Sequence, residues 1–191
     1  MGNEMNQTIT SIIERRSIRS FRADPVPDAD INWILEAALY AATSRNRQPW
    51  FFSVVSNKSL LDRMTKGVLD TLRTTGAEDY KTKAADPLFS PFHNAPTVIF
   101  LSGRDDVHSA LTDCANAAQN ICVAAHSLGL GSCYLRTFRL AFEDSELSGE
   151  LNQALGLPSG YSTIFAVALG YPDEDHPPVP LRNRDVIRYI R

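Results

Sequence analysis

The stretch VHSALTDCANAAQNICVAAHSLG, residues 107–129, decides the architecture of this chain. Small or apolar residues recur in it at helical spacing, namely Ala110, Leu111, Cys114, Ala117, Ala118, Ile121, Cys122 and Ala125. Gly129 follows them as a helix C-cap. Because small side chains let neighbouring backbones approach closely, the pattern predicts a long central helix that could also face a partner subunit. The polar Asn116, Gln119 and His126 argue against a membrane span.

Strand and helix patterns alternate on both sides of this central helix. Residues rich in β-branched and aromatic side chains predict strands at Trp50–Val55, Thr97–Leu101, Ser132–Leu135 and Thr163–Leu169. Amphipathic spacing predicts further helices around Ile9–Ile13, from Asp28 to about Thr43, from Asn57 to Leu72, and from Leu147 to Leu155. Helices come first and strands separated by helices follow, so we expect an α+β sandwich with a sheet of about four or five strands.

Length and composition indicate one globular domain over residues 1–191. The 43% of hydrophobic residues can form a core, and a net charge of −3 argues against general nucleic-acid binding. The polar first residues predict no secretory signal or membrane anchor. Three cysteines are odd in number and lack the close pairs of zinc sites, so we expect reduced, mostly buried thiols in a cytoplasmic protein with no metal.

Two segments lack a regular pattern. Periodicity fails between about Thr74 and Asn94, and this segment is predicted to be a loop or lid, with a contribution to substrate choice. Its Tyr80, Phe89 and Phe92 could stack on a substrate or could simply pack the lid. The last residues, 172–191, are predicted to form an extended tail.

The basic segment Arg15-Arg16-Ser17-Ile18-Arg19-Ser20-Phe21 follows the first predicted helix. Its three guanidinium groups would leave one helix end together, and their paired N–H donors suit a phosphate better than a carboxylate. The alternative is a solvated basic turn near the terminus. Arg182 and Arg184 form a second cationic pair near the C-terminus, which folding could bring back to the first.

Two further polar connections are candidate binding loops. One carries Ser44, Arg45, Asn46, Arg47 and Gln48, whose hydroxyl and amide groups match a ring edge of mixed donors and acceptors. An ordinary polar loop is the alternative. The other, residues 128–134, contains Gly129 and Gly131 but follows a helix instead of opening one, which excludes a dinucleotide fingerprint. Its glycines could let backbone N–H groups approach a flat ligand, or could simply end the helix.

These motifs, in this order, resemble the FMN-dependent nitroreductase family. The resemblance rests on four segments and runs from about Thr8 to the C-terminus: residues 15–21, Ser44-x-Asn46-x-Gln48-Pro49-Trp50, Gly129–Tyr134 and Ala168-Leu169-Gly170-Tyr171-Pro172. It implies a dimeric three-layer sandwich with a mixed sheet, and a homodimer with FMN at the subunit interface. The large, charged Arg45 and Arg47 depart from the small residues that are frequent in the family at this loop.

The resemblance also implies which residues bind the cofactor. Arg15, Arg16 and Ser17 would hold the phosphate and ribityl chain, with Arg184 and also Arg182 returning to the phosphate. Arg19 would lie beside the N1 and O2 edge of the ring. Ser44 and Asn46 would reach the flavin from the partner subunit, and Arg45 and Gln48 of the same loop would also bind the cofactor. The backbone of Leu130, Gly131 and Ser132 would lie against the ring near N5. No protein residue is expected to act as catalytic acid, base or nucleophile.

The implied activity is a ping-pong oxidoreductase that uses NAD(P)H to reduce nitroaromatics, quinones or similar flat, electron-poor small molecules. Two alternatives stay open at this point. The same fold could host another flavin reaction, such as dehalogenation, azoline oxidation or flavin breakdown, or the protein could be a non-catalytic FMN-binding module. Neither NADH nor NADPH is favoured by any residue pattern.

Overall fold

Helices cover both faces of a single sheet in the computed structural model, which describes residues 6–74 and 78–191. The helices are α1 Gln7–Glu14, α2 Asp28–Leu39, α3 Lys58–Thr74, α4 Glu78–Ala85, α5 Ala110–Ser127 and α6 Ser145–Ala154. The strands are β1 Trp50–Val55, β2 Thr97–Arg104, β3 Gly131–Leu135 and β4 Tyr161–Gly170. Short 3-10 turns occupy Ser44–Asn46 and Thr137–Phe142. The predicted α+β class is confirmed, although α2 ends at Leu39 and not near Thr43.

The sheet has the strand order β1-β2-β4-β3, and each neighbouring pair is antiparallel. The prediction of a mixed sheet is therefore wrong for the four strands, which are all antiparallel to their neighbours. Among the described residues, parallel pairing is seen at one isolated bridge, between Ser17 and Ser132. Here the chain after α1 pairs with the edge strand β3 at a single position. This bridge joins two of the predicted binding motifs.

Two hydrophobic clusters, one on each face of the sheet, create the three layers. Ile99, Leu101 and Val167 face the cluster that α2 and α5 complete, and the buried side chains of α5 recur there at helical spacing. Phe100 and Ala168, which alternate with them along the strands, face the opposite cluster, which α3 and α6 complete. The central position predicted for α5 is confirmed.

The segment predicted to be a loop from Thr74 to Asn94 contains the helix α4 and is partly built into the core. Ala84 is buried, and Phe92 is only 1% exposed, with its ring centroid 5.8 Å from that of Phe100 and 6.4 Å from that of Phe138. The prediction that Phe92 could stack on a substrate is therefore wrong. The Tyr80 side chain and residues 75–77 lie outside the described residues, and a role of the segment as a lid stays a prediction.

After β4 the chain forms the expected extended tail. Its beginning pairs with the basic segment, because the Arg22 and Asp173 N–H groups donate to the carbonyls of Tyr171 and Ser20, each at 2.9 Å. From residue 178 onwards the tail is exposed, with apolar side chains at Val179, Leu181, Val186, Ile187, Tyr189 and Ile190. Across residues 6–74 and 78–191, none of the helices has both the length and the apolar character needed to span a bilayer.

Candidate functional site

The basic segment after α1 lies beside the exit of α5, where the glycine-containing segment begins. The Ile18 N–H donates to the Ser132 carbonyl at 3.0 Å, next to the bridge between Ser17 and Ser132. A pocket of about 160 Å³ opens at this junction and is lined in part by Arg15, Arg16, His126, Ser132 and His176. We call it the arginine pocket.

The arginine pocket contains cationic donors without acceptors. Arg16 is only 7% exposed, and its Nη1 donates to the carbonyls of Ile13 at 2.8 Å and Arg15 at 2.6 Å. Its Nε and Nη2 atoms are buried without a hydrogen-bond partner, as is Nε of Arg15. Within the described part of the chain, no carboxylate forms an ion pair with either arginine. A buried, unpaired cation is costly, so these groups suit an anionic ligand that supplies the missing acceptors.

Two histidines and two cysteines surround the arginines. Burial lowers the pKa of His126, and the charges of His176, Arg15 and Arg16 lower it further, while Glu14 raises it. Burial raises the pKa of Cys122 and of Cys133, so both thiols stay neutral. All three cysteines are free and buried, as expected. In the described ranges no group of three His, Cys, Asp or Glu side chains could hold a metal ion.

Arg19 lies in a neighbouring pocket of about 310 Å³ that it shares with residues of the 86–94 segment. The Glu174 carboxylate fixes the backbone here, since its Oε1 accepts the N–H groups of Arg19 at 2.5 Å and Ser20 at 3.3 Å. His93 lines the same pocket, and its pKa is lowered by burial and by the charge of Arg19, against the opposing effect of Glu174. Phe89 is half-buried and lines this pocket, and its contact with a substrate stays a prediction.

The polar loop before β1 has an unusual backbone that is held by α5. Arg45, Asn46 and Gln48 have φ values of 55°, 53° and 46°, in the left-handed region that side chains other than glycine seldom adopt. The Gln48 side-chain amide donates to Asn46 Oδ1 at 2.9 Å. The buried Asp113 carboxylate accepts the Ser44 N–H at 3.3 Å. Such strain persists where the surroundings enforce it, and it is frequent in ligand-binding loops.

This loop and the arginine pocket lie at opposite ends of α5. Asp113, in the first turn of the helix, holds the loop, whereas His126, in the last turn, lines the pocket. At 1.5 Å per residue the two positions are about 20 Å apart along the helix axis. One chain therefore does not bring Ser44, Arg45, Asn46 and Gln48 to Arg15, Arg16 and Ser17.

The glycines after α5 have packing roles in this structure. Gly129, with φ of 77°, ends the helix, as predicted. Gly131 is buried against Ile18, and a Cβ atom at position 131 would lie 2.9 Å from the Ile18 Cβ. The carbonyl of Ser132 is already engaged by the Ile18 N–H. Gly131 is therefore explained by the approach of the basic segment, while a contact of Leu130, Gly131 and Ser132 with a flat ring stays a prediction.

The structure does not bring Arg182 and Arg184 to the arginine pocket. Both are exposed on the tail, and neither side chain forms an ion pair or hydrogen bond with any described residue. The tail is exposed throughout residues 178–191, after its contacts with residues 19–22 and with His126, which explains the separation. A return of these cations to the phosphate requires contacts beyond one chain.

Sequence reasoning missed His126, His176 and Asp113, which all surround or support the predicted motifs. Each of the three is a polar residue near the end of an element that was predicted to be apolar or extended. Polar residues are so common at such positions that their presence does not identify a site. Only the packing of α1, α5 and the tail places the two histidines beside Arg15 and Arg16.

The chain also resembles known proteins over almost its whole length. Residues 12–171 match the family model described as "Nitroreductase family". An NADPH-flavin oxidoreductase of Vibrio harveyi is 31% identical over 180 residues, which cover 90% of this chain and 68% of the relative. Nitroreductase crystal structures with bound FMN from Desulfitobacterium hafniense and Bacteroides fragilis share 31% and 26% identity. Both superpose with a TM-score of 0.90 over 98% of this chain and 100% of theirs.

Proposed function

Because the chain belongs to the nitroreductase family, we propose that it is an FMN-dependent oxidoreductase that takes electrons from NAD(P)H. Its second substrates are flat, electron-poor small molecules such as nitroaromatics and quinones, and the two substrates react in turn at one site. The observation that carries this proposal is the arginine pocket, where Arg15 and Arg16 present buried donors that lack acceptors. A relative and two structural neighbours that are named for flavin chemistry or contain FMN support it.

In this proposal two neighbouring pockets bind different parts of FMN. Arg15, Arg16 and Ser17 would bind the phosphate end, since Nε and Nη2 of Arg16 need acceptors that a phosphate supplies. Arg19, next along the chain, would lie at the N1 and O2 edge of the ring, and Glu174 holds its backbone in place. When bound, FMN supplies the redox chemistry by accepting a hydride from NAD(P)H and passing electrons to the second substrate. A cation at Arg19 would favour negative charge on that ring edge.

A homodimer with FMN at the subunit interface explains two observations. The loop at Ser44–Asn46 lies about 20 Å from the arginine pocket along α5, so the loop of a second copy is needed to complete the site. Large apolar surfaces are exposed at Trp33 (67%), Tyr40 (80%) and along the tail. Such surfaces are typical of protein interfaces. In this arrangement Arg182 and Arg184 reach the phosphate through contacts between subunits. Reduced, buried thiols support a cytoplasmic location.

The test is the spectrum of the purified protein supplied with FMN, followed by anaerobic addition of NADH or NADPH and then of a nitroaromatic or a quinone. We expect bound flavin absorbance, bleaching by at least one nicotinamide cofactor, recovery on addition of the second substrate, and a dimeric mass in solution. A protein that binds no flavin, or whose flavin neither cofactor reduces, contradicts the proposed activity. Tight FMN binding without reduction would instead identify a flavin-binding module.

A further inference from the structure

Two histidines from separate elements meet at the mouth of the arginine pocket. His126 belongs to the last turn of α5, and His176 belongs to the tail, yet their ring centroids lie 6.0 Å apart. Both side chains line the same pocket as Arg15 and Arg16. This pocket already contains a nine-tenths buried guanidinium with two unpartnered nitrogens. An anion that satisfies Arg16 therefore lies within the same small volume as both imidazoles.

We propose that His126 and His176 are additional anion ligands of this pocket, and that His126 holds the phosphate of FMN more tightly when its ring is protonated. The inference rests on the proposed function. It makes FMN retention dependent on pH, with acidification strengthening the protein's contribution to binding. A histidine gains a second N–H donor and a positive charge on protonation, and both favour a phosphate oxygen.

The charges around the rings give the direction of this coupling. His126 faces Glu14 from α1, Arg15 and Arg16 from the segment that follows, and His176 from the tail. Burial and the charges of His176, Arg15 and Arg16 lower the pKa of His126, so the neutral form of its ring is favoured before an anion binds. A bound phosphate offsets the surrounding positive charge and favours the imidazolium form. Phosphate binding and proton uptake by the ring therefore strengthen each other.

Affinity for FMN and for riboflavin, measured at about pH 6 and about pH 8, tests the proposal. The variants are His126→Gln and His176→Gln, and His108→Gln, which is exposed near the other end of α5, is the matched control. At the lower pH we expect His126→Gln to weaken FMN binding by about tenfold, and at the higher pH by about twofold or less, while His176→Gln should weaken FMN binding more than riboflavin binding. Riboflavin, which lacks the phosphate, should be affected equally little at both pH values. The phosphate's own ionisation near pH 6 is common to all variants and cancels in their ratios.

A weakening that is equal for FMN and riboflavin, or a His126→Gln effect that is equal at both pH values, overturns the proposal. The two histidines would then serve only to hold the tail against α5. A second measurement does not depend on flavin binding. In flavin-free protein, NMR titration of the imidazole protons should show that inorganic phosphate raises the pKa of His126, and an unchanged value also overturns the proposal. Wild-type protein that binds no FMN but shows this phosphate effect would reject the proposed function while it retains the anion site.

Discussion

Replacing Arg16 with Met should make the ligand-free protein more stable and the FMN complex weaker. The guanidinium is 7% exposed, and two of its nitrogens have no acceptor. Burying one ion costs several kcal/mol, and the two bonds from Nη1 return about 1.5–3 kcal/mol each. Because Nε and Nη2 form no such bonds, the net contribution of the guanidinium to folding stability is unfavourable. Methionine fills much of the same volume without charge, so we expect the free energy of unfolding to rise by about 1 kcal/mol, which is a Tm increase of about 2–4 °C.

In contrast to its stabilising effect on the ligand-free protein, Arg16→Met should weaken FMN binding. If Nε and Nη2 each donate to the phosphate, Arg16→Met loses about 3 kcal/mol of binding free energy, or roughly a hundredfold in Kd. At an FMN concentration about 100 times the wild-type Kd, ligand binding stabilises the wild type by about 2.7 kcal/mol and the variant by only about 0.4 kcal/mol. The order of the two Tm values should therefore reverse between flavin-free protein and protein with FMN.

Thermal melts with and without FMN measure the change in stability, and fluorescence titration of the flavin measures the change in affinity. Arg73→Met is the matched control, because that side chain is exposed and pairs with Asp70, so its effect should stay within about 0.5 kcal/mol. A ligand-free Arg16→Met protein that is less stable than wild type by about 2 kcal/mol or more, with unchanged FMN affinity, refutes the reasoning. Arg16 would then serve mainly to hold the end of α1.

Three other predictions concern the scaffold. Gly131→Ala should cost about 1–3 kcal/mol of unfolding free energy in urea melts, because the new methyl would lie 2.9 Å from Ile18; an unchanged midpoint would show that Ile18 can move away. Asp113→Ala should destabilise by about 1–3 kcal/mol and speed proteolysis next to Ser44, which loses its acceptor. An unaltered cleavage pattern would show that the loop keeps its conformation without Asp113. Burial raises the Cys114 pKa from 9.0 to about 12, so this thiol should resist alkylation at pH 8 until the chain unfolds. The Cys114 thiol ionises at a lower pH in the unfolded chain than in the folded protein, so its contribution to the free energy of unfolding should fall as pH rises from 9 towards 12. Rapid labelling of the native protein would contradict its burial.

The fold was largely predictable from local pattern. The four strands lie within one or two residues of their predicted starts, because runs such as Thr97–Leu101 are buried on both faces and carry a strong apolar signal. The aperiodic segment before β2 misled the prediction. The short helix α4 is strongly polar, and Phe92 enters the core from a turn without any periodic pattern.

The sequence by itself determined the composition of the site. The basic segment, the polar loop and the glycines after α5 were identified from residue chemistry, and the family resemblance supplied their expected roles. Tertiary structure alone decided which of them share a pocket. Packing of α1 against the exit of α5 brings Arg16 to Ser132, while the length of α5 keeps Ser44 about 20 Å away. Arg182 and Arg184 likewise stay on an exposed tail. The physical reason is that side-chain chemistry is local, whereas proximity depends on helix length and on contacts between residues far apart in the chain.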